Sequence, residues 1–390
     1  LVSFCLIQKD ENMKIGILKE QAPETRVALL PESVAQLIAL KNVVLIQKGA
    51  GESAFAPDAQ YKDAGGEVVE PEEIFKQTSL ILKVGVPTAE ELSKLKPDQV
   101  IVGTLSPLSD KPLVSALKEK GSTSFSLDAI PRISRAQAMD VLSSMATVAG
   151  YRAVLDAAFN LPEFFPMFMS AAGTIKPAKL LVLGAGVAGL QAIATARKLG
   201  AVVEVFDVRA AVKEEVQSLG AKFVEVQGAK DDAAAGGYAV EQSEEFKQRQ
   251  SQMIQDHALK SDVVICTAQI PGRKAPLLIK KETVENMKAG SVIIDLAAST
   301  GGNCALTKND EIVVHNGVKI IGNSNYPSGM PVDASRMYGK NMINFLKLTI
   351  NENGEMNLNF EDEIVKGACI THQNEIVNER VKSIFEAIKD

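Results

Sequence analysis

The sequence has no tryptophan, and among its 390 residues only three histidines and four cysteines; each shortage narrows the chemistry open to it. Cys5, Cys266, Cys304 and Cys369 lie far apart, without the paired spacing of a metal site or the density of a disulfide scaffold. They read as buried free thiols of a reducing compartment. No apolar run approaches the roughly eighteen residues that a membrane-spanning helix needs, and the opening LVSFCLI is short and lacks the basic flank of a signal peptide. Basic excess is missing too: 42 Lys and Arg face 48 Asp and Glu, a net charge of −6, which argues against a nucleic-acid binder. His257, His315 and His372 fall in a polar helix, a hairpin and a late turn, where surface positions are expected. None stands where a general acid or base would, and no Ser-His-Asp order, metal-ligand cluster or lysine-bearing phosphate loop is found.

A chain of this length exceeds one ordinary core, so two domains are expected. From Met13 to Leu127, short β-runs (KIGIL, VVLIQKG, SLILKVG, VIVGTL, TSFSL) alternate with helical stretches such as PESVAQLIAL, the pattern of a parallel sheet covered by helices. A second series begins at Lys179 and runs through FVEV, DVVICTA, SVIIDLA and KIIGNS. The expected fold is α/β: two Rossmann-like domains with parallel sheets, joined by long helices, with a cleft between them. ISRAQAMDVLSSMATVAGYRAVLDAA reads as one bridging helix, ASRMYGKNMINFLKLTI as another, and MNLNF and GACITH as late strands. The expected boundaries are 13–134 plus about 330–390 for a discontinuous first domain and 135–329 for the bridging helix with the second. Residues 1–12 read as a non-native extension before a start at Met13.

LVLGAGVAGL, residues 181–190, carries the chemistry. A β-run leads into Gly184-Ala185-Gly186-Val187-Ala188-Gly189, and a helical stretch follows. Gly184 permits a tight bend, Gly186 lets the backbone approach a pyrophosphate, and Gly189 lets helix lie close on strand. The next strand ends on Asp207, at the offset where an acid accepts hydrogen bonds from the adenosine ribose. That carboxylate favours NAD over NADP, whereas Arg209 is a cation able to hold a 2′-phosphate.

Two further stretches stand out. The polar segment 227–250 carries Gly236, Gly237 and Tyr238, and reads either as a solvated connection or as a lid hinged on its glycines. In PRISRAQAMDVLSS, Ser134 and Gln137 have capping-box spacing. Yet Gln137, Asp140, Ser144 and Thr147 share one helical face, with Ser143 beside them and Arg132 ahead. Gln137 is therefore a cap or a site residue on pattern alone.

The strings PRISRAQAMDVLSSMATVAGYRAV, GAGVAGLQAIATA, FDVRAAVKEEVQSLGA, AGGYA, PGRKAPLLI and GSVIIDLAASTGGNC resemble the NAD(H)-binding soluble domain of the proton-translocating NAD(P) transhydrogenases, with alanine dehydrogenases a more distant branch. The resemblance implies Si-type hydride transfer between NAD(H) bound here and NADP(H) on a partner domain. It also implies coupling through a membrane proton-channel partner, a homodimer, and a place on the cytoplasmic side, peripheral to the inner membrane and without insertion. It puts Arg132, Gln137, Asp140 and Ser143 at the nicotinamide end, with Gln137 reaching toward the partner's nucleotide. Val187, Asp207, Val208, Arg209, Gly237, Gln250 and Gln269 fall along the NAD, with Tyr238 at the tip of a closing loop. Leucine is common in the family where Gln269 stands. Alanine dehydrogenases need a lysine and a histidine where this chain has Gly85 and Ser106, so amino-acid oxidation is disfavoured; a nucleotide-binding module without turnover is the other alternative.

Overall fold

A computed structural model describes residues 12–225, 243–270 and 272–386. They form two compact units, one running to Met145 and resuming at Met330, the other Ala146–Gly329. No helix among the described residues is long and apolar enough to cross a membrane.

In the first unit, β1 (Lys14–Ile17), β2 (Val43–Gln47), β3 (Glu67–Val69), β4 (Leu80–Leu82), β5 (Val100–Gly103) and β6 (Thr123–Ser126) are parallel, in spatial order β3-β2-β1-β4-β5-β6. Their Val, Ile and Leu runs are buried on both faces, as a helix-covered parallel sheet requires. The helix Pro331–Thr349 starts on a proline at its first turn and buries Ala334, Tyr338, Met342, Phe345 and Leu346 as one stripe against this core.

The second unit holds a separate hairpin of β7 (Phe168–Ser170) and β8 (Gly173–Ile175), exposed along both strands. Its main sheet comprises β9 (Lys179–Leu183), β10 (Val202–Phe206), β11 (Lys222–Phe223), β12 (Val263–Cys266), β13 (Val292–Asp295), β14 (Ile312–His315) and β15 (Val318–Ile321). The order is β11-β10-β9-β12-β13-β15-β14, all parallel except β14 at the edge. After Met330 the chain adds β16 (Cys369–His372) and β17 (Glu375–Ile376) to the first sheet, β16 antiparallel to β6. MNLNF is not a strand: Met356 alone makes a bridge, to Ile350.

The expected bridging helix is interrupted. Ser134–Met139 is a 3-10 turn, Asp140 has a non-helical ψ of 89°, and the α-helix is Val141–Asn160. The cause is local. The Asp140 carboxylate accepts the Ser143 N–H at 2.9 Å and the Ser143 hydroxyl at 2.6 Å, so it caps a new helix start. Ser134 makes no capping bond, and the capping box with Gln137 does not form.

Candidate nucleotide-binding site

The turn after β9 has the geometry read from its glycines. Gly184 sits at φ +106°, and a Cβ there would come within 2.5 Å of Thr267 Oγ1. A Cβ on Gly189 would lie 1.9 Å from the Gly184 carbonyl oxygen, so helix Val187–Lys198 can press on the turn only with glycine at that position. A Cβ on Gly186 would meet nothing within 4 Å: the backbone there faces open space, wide enough for a ligand to approach. No acidic side chain occupies the helix's first turn. Its free N–H groups and positive dipole end thus make an anion site that a pyrophosphate fits.

Asp207 holds the turn. Its Oδ2 accepts the Ala185 N–H at 2.7 Å, and its Oδ1 accepts the Arg209 N–H at 2.8 Å. The Arg209 guanidinium closes on both oxygens, Nε to Oδ1 and NH2 to Oδ2, each at 2.9 Å. The carboxylate side chain is 6% exposed. The hydrogen bonds from Asp207 raise the Arg209 pKa above its ordinary value. Acid and cation, read apart in the sequence, are one ion pair.

Val187 opens the helix and is exposed, while Val208 is partly buried against the core beneath. Gln250 lies partly exposed on helix Glu244–Ala258. Gln269 is exposed, its amide nitrogen donating to the Leu296 carbonyl at 3.0 Å. Gly237 and Tyr238 lie outside the described residues.

Three supports escaped the sequence reading. Thr267 Oγ1 lies 3.2 Å from the Leu183 carbonyl oxygen and 3.0 Å from that of Gly184, pinning the turn to β12. Buried Asn303 exchanges hydrogen bonds with Ala268 and donates to Pro276. Gly150, in the helix Val141–Asn160, passes so near the turn's helix that a Cβ would lie 2.1 Å from Ala188 O. A glycine in a helix interior was the available signal for it.

In the first unit, Gln137 is exposed on the 3-10 turn, Asp140 and Ser143 bond each other, and Arg132 is exposed beside them. Gly85 and Ser106 follow β4 and β5 and bring no titratable group; Ser106 has φ +49°. The neighbouring Lys83 is 1% exposed, its ammonium on both Glu91 oxygens at 2.9 and 2.8 Å and 3.7 Å from Glu20.

The histidines are not bare surface groups. All three are half-buried: His257 Nδ1 lies 2.5 Å from Glu204 and His315 Nε2 3.3 Å from Glu285. His372 Nδ1 lies 2.9 Å from Thr123 Oγ1, its ring against Phe360. Cys266, Cys304 and Cys369 are free and buried, and burial pushes the Cys304 thiol up to about 11.

Comparison with known proteins places this geometry. Residues 16–149 match the family model described as "Alanine dehydrogenase/PNT, N-terminal domain" and residues 153–379 its C-terminal domain. An NAD(P) transhydrogenase alpha subunit of Rhodospirillum rubrum is 46% identical over 94% of this chain and 98% of its own. A transhydrogenase crystal structure from Sinorhizobium meliloti superposes with a TM-score of 0.86 at 42% identity, over 93% of this chain and 100% of that one. The alanine dehydrogenase of Mycolicibacterium smegmatis is 31% identical over 74% of each chain. With both halves matched and nearly the whole length aligned, the chain is a member of the alanine dehydrogenase/PNT family.

Proposed function

We propose that the chain is the NAD(H)-binding component of a proton-translocating transhydrogenase. In this reading NADH held here passes its hydride to NADP⁺ on a partner domain, and a further membrane partner couples the transfer to proton movement. The observation that carries the reading is the turn Gly184–Gly189 with Asp207 bonded into it, in a chain that has Gly85 and Ser106 where amino-acid oxidation needs a lysine and a histidine. The greater identity to a transhydrogenase subunit than to an alanine dehydrogenase supports it.

The bound nucleotide supplies the hydride, and exchange between two nicotinamides leaves no proton to be taken up or released at carbon. The protein's part is then placement and exclusion of water. The helix N-terminus receives the pyrophosphate, Asp207 the adenosine ribose, and Val187, Val208, Arg209, Gln250 and Gln269 line the nucleotide, with Gly237 and Tyr238 in a closing loop. Arg132, Gln137, Asp140 and Ser143 serve the nicotinamide end, Gln137 through its unbonded amide. A homodimer peripheral to the inner membrane on the cytoplasmic side completes the assignment.

Calorimetric titration with NADH and with NADPH tests the nucleotide; tighter NADPH binding refutes it. Pyruvate and ammonia with NADH test the amino-acid alternative, and appreciable turnover would establish that reading instead. Gln137→Asn withdraws the amide by one methylene. Transfer to NADP⁺ on the partner should fall far more than NADH affinity, with the melting temperature level, because no capping bond is lost. NADH binding without transfer under any partner would leave a non-catalytic module.

A further inference from the structure

The turn that carries Gln137 is gripped from two sides. Asn341 and Asn344, three residues apart and so on one face of the helix Pro331–Thr349, both donate from Nδ2 to a single acceptor, the Ala138 carbonyl, at 2.8 and 3.0 Å. On the other side, Arg135 pairs with both Asp362 oxygens at 2.7 and 2.8 Å, while Asp362 also caps the helix Glu363–Ala368. Ala136 and Met139 anchor the turn in the core. Within this frame the Gln137 side chain is exposed and makes no hydrogen bond to the described residues.

Asn341 is held at a cost. It is 7% exposed, and its Oδ1 is buried without a hydrogen-bond partner among the described residues. A leucine would fill the same space without stranding an acceptor, so stability alone does not favour asparagine here. What the asparagine provides is the second donor to Ala138, the residue that follows Gln137.

We propose that Asn341 and Asn344 are positioning residues for hydride transfer: by fixing the Ala138 carbonyl they hold the Gln137 amide in the orientation that transfer needs. The proposal rests on the assignment of Gln137 above. Neither asparagine need touch a nucleotide; both act through the turn, and the sensitivity of a near-attack geometry to small displacements gives them their leverage.

The test compares Asn341→Leu, Asn344→Asp and their combination, each with and without Gln137→Ala, as the full chain with its NADP-binding partner. Stopped-flow transfer from NADH to thio-NADP⁺ is read beside NADH affinity and melting temperature. Asn344→Asp keeps the shape and loses the donor. The combined variant should transfer about ten- to a hundredfold more slowly, with NADH affinity unchanged and Asn341→Leu melting no lower than the parent. Adding Gln137→Ala should cost nothing more, and hydrogen exchange at the amides of 137–140 should quicken. A slow Gln137→Ala beside a normal combined variant overturns the positioning role and leaves the Gln137 assignment standing. Full additivity, unchanged exchange, or NADH affinity falling in step with rate also overturns it. Normal transfer in Gln137→Ala refutes the assignment and the proposal with it.

Discussion

Gly186 and Gly189, neighbours in one motif, should fail in opposite ways when given a methyl group. At Gly189 the new Cβ would lie 1.9 Å from the Gly184 oxygen and 2.9 Å from its carbon, both backbone atoms that no rotamer change can move aside. The helix Val187–Lys198 must retreat from the turn, and overpacking of this kind costs about 1–3 kcal/mol or more. For a unit of this size that is a fall of roughly 2–12 °C in melting temperature. At Gly186 the Cβ meets nothing within 4 Å, and the backbone, at φ −77° and ψ −170°, is extended and open to alanine. The loss of chain freedom in the unfolded state and the weaker cap nearly cancel, each below about 1 kcal/mol. Gly186→Ala should therefore melt like the parent yet lose NADH, because the methyl stands where the pyrophosphate approaches the helix N-terminus. Calorimetry of melting and a fluorescence titration with NADH on both variants decide it. Parental NADH affinity in Gly186→Ala would remove the pyrophosphate from this turn, and a parental melting temperature in Gly189→Ala would refute the close approach.

Asp207→Asn removes the charge that both Ala185 and Arg209 bond, so NADH binding should weaken and the preference over NADPH narrow; equilibrium titration reads both, and unchanged affinities would remove the carboxylate from the ribose. Burial raises the Glu20 pKa above 4.5, against the pull of Lys83 and the Val84 N–H. A carboxyl raised on folding stabilises the fold below its unfolded value, and that contribution is lost as pH rises through the folded one. Glu20→Gln, which keeps an acceptor for Val84, should thus melt higher than the parent at neutral pH, the gap closing below about pH 4.5; a gap independent of pH refutes this. Lys83→Met leaves Glu20 and Glu91 without their shared cation and should cost about 3–5 kcal/mol in denaturant unfolding.

The glycine turn was legible because its demands are local: strand, bend and helix follow one another in sequence, and each glycine answers a contact within a few residues. Asp207 was legible by its offset, but its partners were not, since the bond to Ala185 depends on β9 and β10 lying in register. The break at Asp140 was hidden for another reason. Ser134 and Asp140 are both good capping residues in an otherwise helical pattern, and only the fold chooses between them; the 3-10 turn seats Ala136 and Met139 in the core and leaves Asp140 free to cap. Gly150 and Asn341 depend on contacts with distant segments and carry no periodic signal. MNLNF alternates like a strand, yet a strand needs a sheet edge, and β16 takes the edge beside β6.

The titratable groups that the fold perturbs bear on the kind of catalysis the chain can support. A general base near neutrality needs a carboxyl raised or an amine lowered, and aimed at substrate. Burial does raise two carboxyls in the first unit, Glu20 and Asp128. Both are engaged: Glu20 accepts the Val84 N–H, and Asp128 accepts the Ser126 hydroxyl and backbone N–H groups of Leu105 and Ser106. They fix the chain just where Gly85 and Ser106 stand, so they tie down loops rather than wait for a proton. Tyr338, likewise raised by burial, is bonded to the Lys83 and Val84 carbonyls. Perturbed groups in this family member are thus absorbed into holding backbone still. For a reaction that moves a hydride between two nicotinamides, that is the useful investment: its rate turns on how closely two rings are held, and the rigidity of the Gln137 turn, not the pKa of any side chain, becomes the variable to change.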